Sequence, residues 1–329
     1  MIPSLLHWFE QNARPLPWRE SPPVPYHVLL SEIMLQQTRI EAVKEHYHRF
    51  LLACPDIASL ANLPDEQLMK LWEGLGYYSR ARNLKKTALI VAEQGFPQTV
   101  EGLGKLPGVG PYTAAAIASI AFGVPAAAVD GNVLRVLSRL HAENFTRESA
   151  SQWLLPKIPQ GKAGAFTQAW MELGEIVCLP NGTPLCGECP LRLFCKARKN
   201  DLISQFPAPT PKPERTVQER TVFLLHCKGK IALHKRPPTG LLANLWEFPA
   251  VEKALSPKEA EKAFSGLRNL SFLGNAKHLF THIEWRMRLY SADVDEPLQQ
   301  FTWESPQNIL RDYAIPSAFR RLKEHCKQY

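Results

Sequence analysis

The stretch FPAPTPKPERTVQER, Phe206 to Arg220, places four prolines among charged residues. Proline lacks a backbone N–H and locks φ, so this stretch can be neither a helix interior nor a central strand. It reads as an extended, semi-rigid linker. Before it, the runs YHVLLSEIMLQQTRIEAVKEHYHRFL (Tyr26 to Leu51, one long helix), DEQLMKLWEGL, SRARNLKKTALIVAEQ, TAAAIASIAF, NVLRVLSRLHA and AFTQAWMELGEIVC carry the apolar period of amphipathic helices. After it, TVFLLHC, KIALHKR, LWEFPAV, HLFTHIEW and RMRLYSADV are short and β-rich, with helical patterns at SPKEAEKAF and PSAFRRLKEHC. The expected organisation is an all-α domain over 1–205, a linker over 206–219 and an α/β domain with an antiparallel or mixed sheet over 220–329. Two domains suit a chain of 329 residues.

Lysine and arginine exceed aspartate and glutamate by 39 to 31, a formal charge of +8, which suits a polyanionic partner. No apolar run reaches the roughly 18 residues of a membrane span, and the N-terminus lacks the layout of a secretion signal. A soluble, cytoplasmic, bacterial protein with no membrane partner is expected. In that setting the spacing Cys178-x7-Cys186-x2-Cys189-x5-Cys195 favours a closed metal site over disulfides. Four thiolates suit zinc or a four-iron cluster, and the spacing does not choose between them.

Two carboxylates carry the chemical reading. Glu32 shares a helix face with Leu29, Ile33, Gln36, Ile40 and Val43; burial there should raise its pKa into the range of a general acid. Asp130 stands immediately before the helix of Val133, Val136, Leu137 and Leu140. As an N-cap it should be held ionised by backbone N–H groups and the helix dipole. A raised acid beside a fixed carboxylate is the pairing that cleaves glycosidic bonds. The segment LPGVGPYTAAAIASIAFG, Leu106 to Gly123, reads as a tight Gly-Val-Gly turn feeding a helix opened by Pro111, a place for an anion. It lacks the Lys-Ser or Lys-Thr of a nucleotide P-loop.

The glycine turn, the aspartate before GNV, SEIMLQQTR, GLGYYSRARNL and the four-cysteine loop together resemble the helix-hairpin-helix DNA glycosylases, and within them the A/G-specific adenine glycosylases of the MutY family. The resemblance spans essentially the whole chain. It implies an all-α helix-hairpin-helix glycosylase domain with an iron–sulfur loop over 178–195, a C-terminal α/β Nudix-like domain, and removal of adenine mispaired with 8-oxoguanine or guanine in duplex DNA. It implies Glu32 as the acid that protonates adenine N7 and later handles water, Asp130 as stabiliser of the sugar cation or of a covalent sugar adduct, and Tyr112 and Asn132 as their support. Arg14, Trp18, Leu35 and Gln168 would form the adenine pocket. Gln37 and Tyr77 would wedge into the duplex, and Leu106, Gly108, Val109 and Gly110 would hold a DNA phosphate. Phe280, Thr281 and His282 would read 8-oxoguanine, with threonine where serine is commoner. Cys178, Cys186, Cys189 and Cys195 would hold a [4Fe-4S] cluster, zinc being the alternative, although the first gap is one residue longer than the family pattern. A monomer acting on double-stranded DNA is implied. Where a related lyase, endonuclease III, carries a nucleophilic lysine, this chain has Tyr112, which cannot form a Schiff base. NLWEFP fits a Nudix-like domain, but AVEKALSPKEAEKAF lacks the catalytic Nudix arrangement, so no pyrophosphohydrolase activity is expected. The alternatives are an endonuclease III-like glycosylase/lyase and an iron–sulfur DNA-binding or redox protein without catalysis.

Overall fold

A computed structural model describes residues 1–208 and 214–328; positions 209–213 of the proline-rich linker lie outside the described residues. The chain gathers into two compact units, Met1–Asn62 with Arg82–Pro211 and Leu63–Ala81 with Lys212–Tyr329. A segment from within the first expected domain, Leu63–Ala81, thus packs with the C-terminal residues.

The first unit is helical. Leu5, Leu6 and Phe9 of the helix Ile2–Asn12 meet Val133, Val136, Leu137 and Leu140 of Gly131–His141, and Phe166, Trp170 and Leu173 of Ala163–Ile176. At about 1.5–3 kcal/mol per large buried apolar side chain, this packing fixes the helix that begins beside Asp130. The helix expected over Tyr26–Leu51 is instead two, Pro25–Leu35 and Ile40–Ala53. The break falls at Gln37, whose φ of 56° is left-handed, a conformation that stops a right-handed helix. Ile40 and Val43 therefore lie on a different helix from Glu32.

The second unit is built on a sheet of β1 (Thr216–Cys227), β2 (Lys230–Lys235), β3 (Trp246–Glu247), β4 (Ala250–Val251), β5 (Leu267–Leu279), β6 (Ile283–Val294) and β7 (Thr302–Glu304). The order is β3-β2-β1-β6-β5, with β4 on β1 and β7 on β2. It is mixed: β1 and β6 run parallel from Thr216↔Ile283 to His226↔Asp293, and the other pairs are antiparallel. Alternate residues of β1 reach opposite cores. Val222 and Leu224 pack with Ile315, Phe319 and Leu322, whereas Phe223 and Leu225 pack with Tyr290 and Phe264, so both faces are covered. Most of β5 escapes sequence reading because it breaks its own alternation. A bulge lies between Phe272 and Gly274, and Arg321 donates to the carbonyls of Leu273 (2.6 Å) and Asn275 (2.7 Å) around it. Gly274, at φ 116°, leaves room for that guanidinium: a Cβ there would stand 2.6 Å from Arg321 Nη2.

Candidate active site

One cavity in the helical unit collects side chains from distant parts of the sequence: Glu32, Tyr112, Asp130 and Asn132, together with Arg14, Trp18, Leu35 and Gln168. All eight residues expected to form the catalytic group and the adenine pocket line it. Glu32 is 7% exposed on the helix Pro25–Leu35. Burial, reinforced by the negative charge of Asp130, pushes its carboxyl up to about 7, against the opposing hydrogen bond from Tyr112 and the charge of Arg19. Tyr112 enters from the helix Pro111–Phe122, and its hydroxyl also lies 3.8 Å from Met171 Sδ.

Asp130 caps Gly131–His141, its Oδ1 accepting from Val133 N at 2.8 Å. The cap does not act on this carboxyl alone. Burial raises its pKa, and the cap bonds from Val133 and Asn132 with the charge of Arg135 only partly offset that. Sequence reading counted the cap and not the desolvation. The side chain of Asn132 accepts from Arg135 Nη2 (2.8 Å) and donates to Glu175 Oε2 (3.4 Å). Gly174 makes room for it, because a Cβ there would stand 2.7 Å from Asn132 Cβ.

The floor of the cavity holds a cluster that sequence reading missed. Glu172, 1% exposed, accepts from Arg14 N (3.0 Å), Arg14 Nε (2.7 Å), Arg14 Nη2 (2.9 Å) and Arg19 Nη2 (2.7 Å). Burial alone would raise its pKa, but these bonds hold it at about 2. The signal was its place four residues after Gln168, on the same helix face. Trp18 seats its ring edge-on to Tyr47 at 5.4 Å.

Cys178, Cys186, Cys189 and Cys195 line a second, small cavity with Arg139 and Arg198. Burial raises the thiols of Cys186, Cys189 and Cys195, and Cys178 adds to each rise. Arg139 Nη1 points at Cys178 Sγ (3.4 Å) and donates to Leu179 O (2.7 Å), while Cys195 Sγ donates to Arg139 O (3.3 Å). Arg135 reaches from Asn132 to Cys178 O (2.8 Å). Among the described residues, no group of three or more His, Cys, Asp or Glu side chains is placed to hold a single metal ion.

The glycine turn lies between the short helix Val100–Leu103 and Pro111–Phe122. Gly108 is required there: its φ is 76°, and a Cβ would stand 2.7 Å from Asn83 Cβ. Gly110 is the N-cap, with open space where a Cβ would go. Leu106 and Val109 are buried, and their N–H groups donate to Leu103 O and Leu106 O at 3.1 Å each, which closes the turn. Gln37 is exposed and left-handed at φ 56°; Tyr77, at φ 45°, is 46% exposed. Non-glycine residues are held in that region only by their surroundings. In the second unit, Phe280, Thr281 and His282 form the turn joining β5 to β6, with Phe280 N donating to Ile283 O (2.8 Å). Thr281 and His282 are exposed, and Phe280 stacks edge-on to Trp285 at 4.9 Å.

Residues 30–155 match the HhH-GPD superfamily of base excision DNA repair proteins, and residues 221–325 match the NUDIX domain. The chain is 33% identical to the adenine DNA glycosylase of Mus musculus, over 98% of this chain and 78% of that one. The chain belongs to the adenine DNA glycosylase family. The family's protein from Buchnera aphidicola subsp. Baizongia pistaciae is also 33% identical, over 85% of this chain and 82% of that one. A trapped endonuclease III–DNA covalent intermediate superposes with a TM-score of 0.53 at 26% identity, covering 61% of this chain and 95% of that one. As a family member the enzyme acts on DNA, hydrolysing the N-glycosyl bond of adenine in base excision repair. Among the described residues no helix is long and apolar enough to cross a membrane.

Proposed function

We propose that the enzyme removes adenine paired with 8-oxoguanine or guanine in double-stranded DNA, as a monofunctional glycosylase. The supporting observation is a buried carboxyl, Glu32, raised to about 7 in the same cavity as the capped Asp130. In this reading the adenine is flipped into the cavity, between Trp18, Leu35 and Gln168, over the Glu172 cluster that holds Arg14. Glu32 donates its proton to adenine N7. The bond from the sugar C1′ to N9 breaks, its electron pair leaving with the base. Asp130 stabilises the oxocarbenium ion, and Tyr112 and Asn132 hold the two carboxyls. Water adds to C1′ as Glu32 takes its proton back, giving free adenine and an abasic site. Among the described residues no lysine lines the cavity, which supports hydrolysis over a Schiff-base lyase. Gln37 and Tyr77 wedge into the duplex, the amides of Gly108 and Gly110 in the turn from Leu106 to Gly110 take a backbone phosphate, and Phe280, Thr281 and His282 read 8-oxoguanine. The enzyme acts as a cytoplasmic monomer.

Four thiols facing one cavity, with the Arg139 N–H aimed at Cys178 sulfur, fit a [4Fe-4S] cluster. Bound there it cross-links residues 178–195, and no step of base removal runs through it. Iron and acid-labile sulfide in the purified enzyme support this; stoichiometric zinc overturns it. The function is tested by single-turnover treatment of a labelled duplex with adenine opposite 8-oxoguanine, run before and after hot alkali. Breakage only after alkali is expected. Breakage before alkali means a lyase, and an intact strand in both lanes removes the assignment.

A further inference from the structure

Within the second unit, the segment Leu63–Ala81 is held to the C-terminal residues by a partly buried ionic cluster. Glu73 Oε1 accepts from Ile315 N (3.1 Å) and from Lys323 Nζ, and Glu73 Oε2 pairs with Lys70 Nζ at 2.9 Å. Lys70 Nζ also donates to Leu310 O (2.7 Å) and Tyr313 O (2.9 Å). Glu73 has a side-chain exposure of 17%, and Lys70 and Lys323 of 21% each, so water screens these pairs less than open surface pairs. Four residues on stands Tyr77. Its ring lies 5.5 Å from the Arg80 guanidinium, which also donates to Leu75 O (2.8 Å) and Gly76 O (3.2 Å). Its hydroxyl is 3.2 Å from Thr281 Oγ1. The left-handed backbone at Gly74 (103°), Gly76 (68°) and Tyr77 (45°) does not hold that position by itself, since neither glycine restricts the chain.

We infer that Glu73 is a positioning residue for recognition of the base opposite adenine: by clasping Ile315, Lys323 and Lys70 it sets Tyr77 beside Thr281, so that the two hydroxyls act as one reading head. This rests on the 8-oxoguanine reading above. The pair makes one hydrogen bond where two separate hydroxyls would each bond water, and it presents both oxygens to the same ligand edge. Losing the clasp leaves Thr281 on its β-turn and releases Tyr77. The effect falls on discrimination between opposing bases, while the chemistry at Glu32 is unchanged.

The test compares full-length wild type, Glu73→Ala, Lys323→Met, Tyr77→Phe and the double variant Glu73→Ala/Tyr77→Phe. Single-turnover rates are measured against enzyme concentration on duplexes with adenine opposite 8-oxoguanine or opposite guanine. For Glu73→Ala we expect the 8-oxoguanine preference, read from half-saturation, to fall about fivefold or more, the scale of one lost hydrogen bond. The rate at saturation should stay within about twofold, and Lys323→Met should fall in the same direction. Tyr77→Phe should reduce the preference in the wild-type background and add nothing in Glu73→Ala, the non-additivity expected of coupled residues. Full preference in Glu73→Ala, or an equal Tyr77→Phe effect in both backgrounds, overturns the proposal. If Glu73→Ala does not fold, full preference in Lys323→Met overturns it. Equal half-saturation on both duplexes for wild type would instead remove the 8-oxoguanine reading itself.

Discussion

Replacing Glu32 by glutamine should inactivate the enzyme and make it more stable above neutral pH. The folded protein holds this carboxyl at about 7 against an ordinary 4.5, so between those values the folded state binds a proton that the unfolded state has released. Stability linked to Glu32 is therefore fully present below pH 4.5 and lost as pH rises through about 7. At about 1.4 kcal/mol per pH unit, the loss approaches about 3 kcal/mol. Glutamine carries no charge to desolvate and keeps an oxygen for the Tyr112 hydroxyl. Urea melts of both proteins at pH 5 and pH 8 give the difference directly: about 1 kcal/mol or less at pH 5, and about 3 kcal/mol in favour of the variant at pH 8. In parallel, the wild-type single-turnover rate should fall about tenfold per pH unit above pH 7 as the acid is lost, while the variant binds duplex normally and leaves adenine in place. A stability difference that does not change with pH, or a variant less stable at pH 8, would refute the assignment of a desolvated acid to Glu32.

Asp130→Asn should slow base removal by at least about a hundredfold while costing under about 1 kcal/mol, because asparagine is an equally good N-cap; calorimetry alongside single-turnover kinetics separates the two effects. Gly108→Ala should destabilise the helical unit by about 2 kcal/mol or more through its left-handed φ and the approach of Asn83. Gly110→Ala, with φ −82° and open space, should cost less than about 1 kcal/mol. Chemical denaturation ranks the two. Glu172→Gln should cost about 2–3 kcal/mol by leaving two guanidiniums poorly paired. Since the folded protein holds Glu172 at about 2, its contribution should persist at pH 4.5 and vanish only as pH falls towards 2, a window that acid titration of the wild type and variant reads.

Glu32, Asp130 and the turn before Tyr112 were legible because each sits in a local motif whose chemistry stands out alone: a carboxylate on an apolar helix face, an aspartate before a helix, a proline-opened helix after glycines. Asn132, Arg14, Trp18, Leu35, Gln168 and the role of Tyr112 came only from the family resemblance. Glu172 and Arg19 were not legible, because the charge that satisfies Glu172 lies 153 residues away and its place four residues after Gln168 does not by itself name that partner. The break at Gln37 was hidden for a different reason. The apolar period continues through it, and only a backbone torsion ends the helix. For Asp130, two opposing causes act on one pKa, and sequence displays only the cap. The second domain was legible as α/β from its β-rich runs, though not which of an antiparallel or a mixed sheet it builds, and β5 lost its alternation to a bulge. Nothing in DEQLMKLWEGL marks Leu63–Ala81 as packing with the C-terminal residues, since Lys70 and Glu73 bond main-chain atoms of Leu310, Tyr313 and Ile315 and the side chain of Lys323.

Lys70 finds the carbonyl of Leu310 across 240 positions of sequence. A ribosome adding about 5–20 residues per second needs on the order of tens of seconds to supply that partner. During synthesis the helical unit can complete its packing sooner, because pairings such as Arg14 with Glu172 span 158 residues and not 240. The bonds of Lys70 and Glu73 to Leu310, Tyr313, Ile315 and Lys323 cannot form until those residues emerge. A nascent chain stalled before residue 310 should therefore be cut by protease between 63 and 81 at sites the finished enzyme protects.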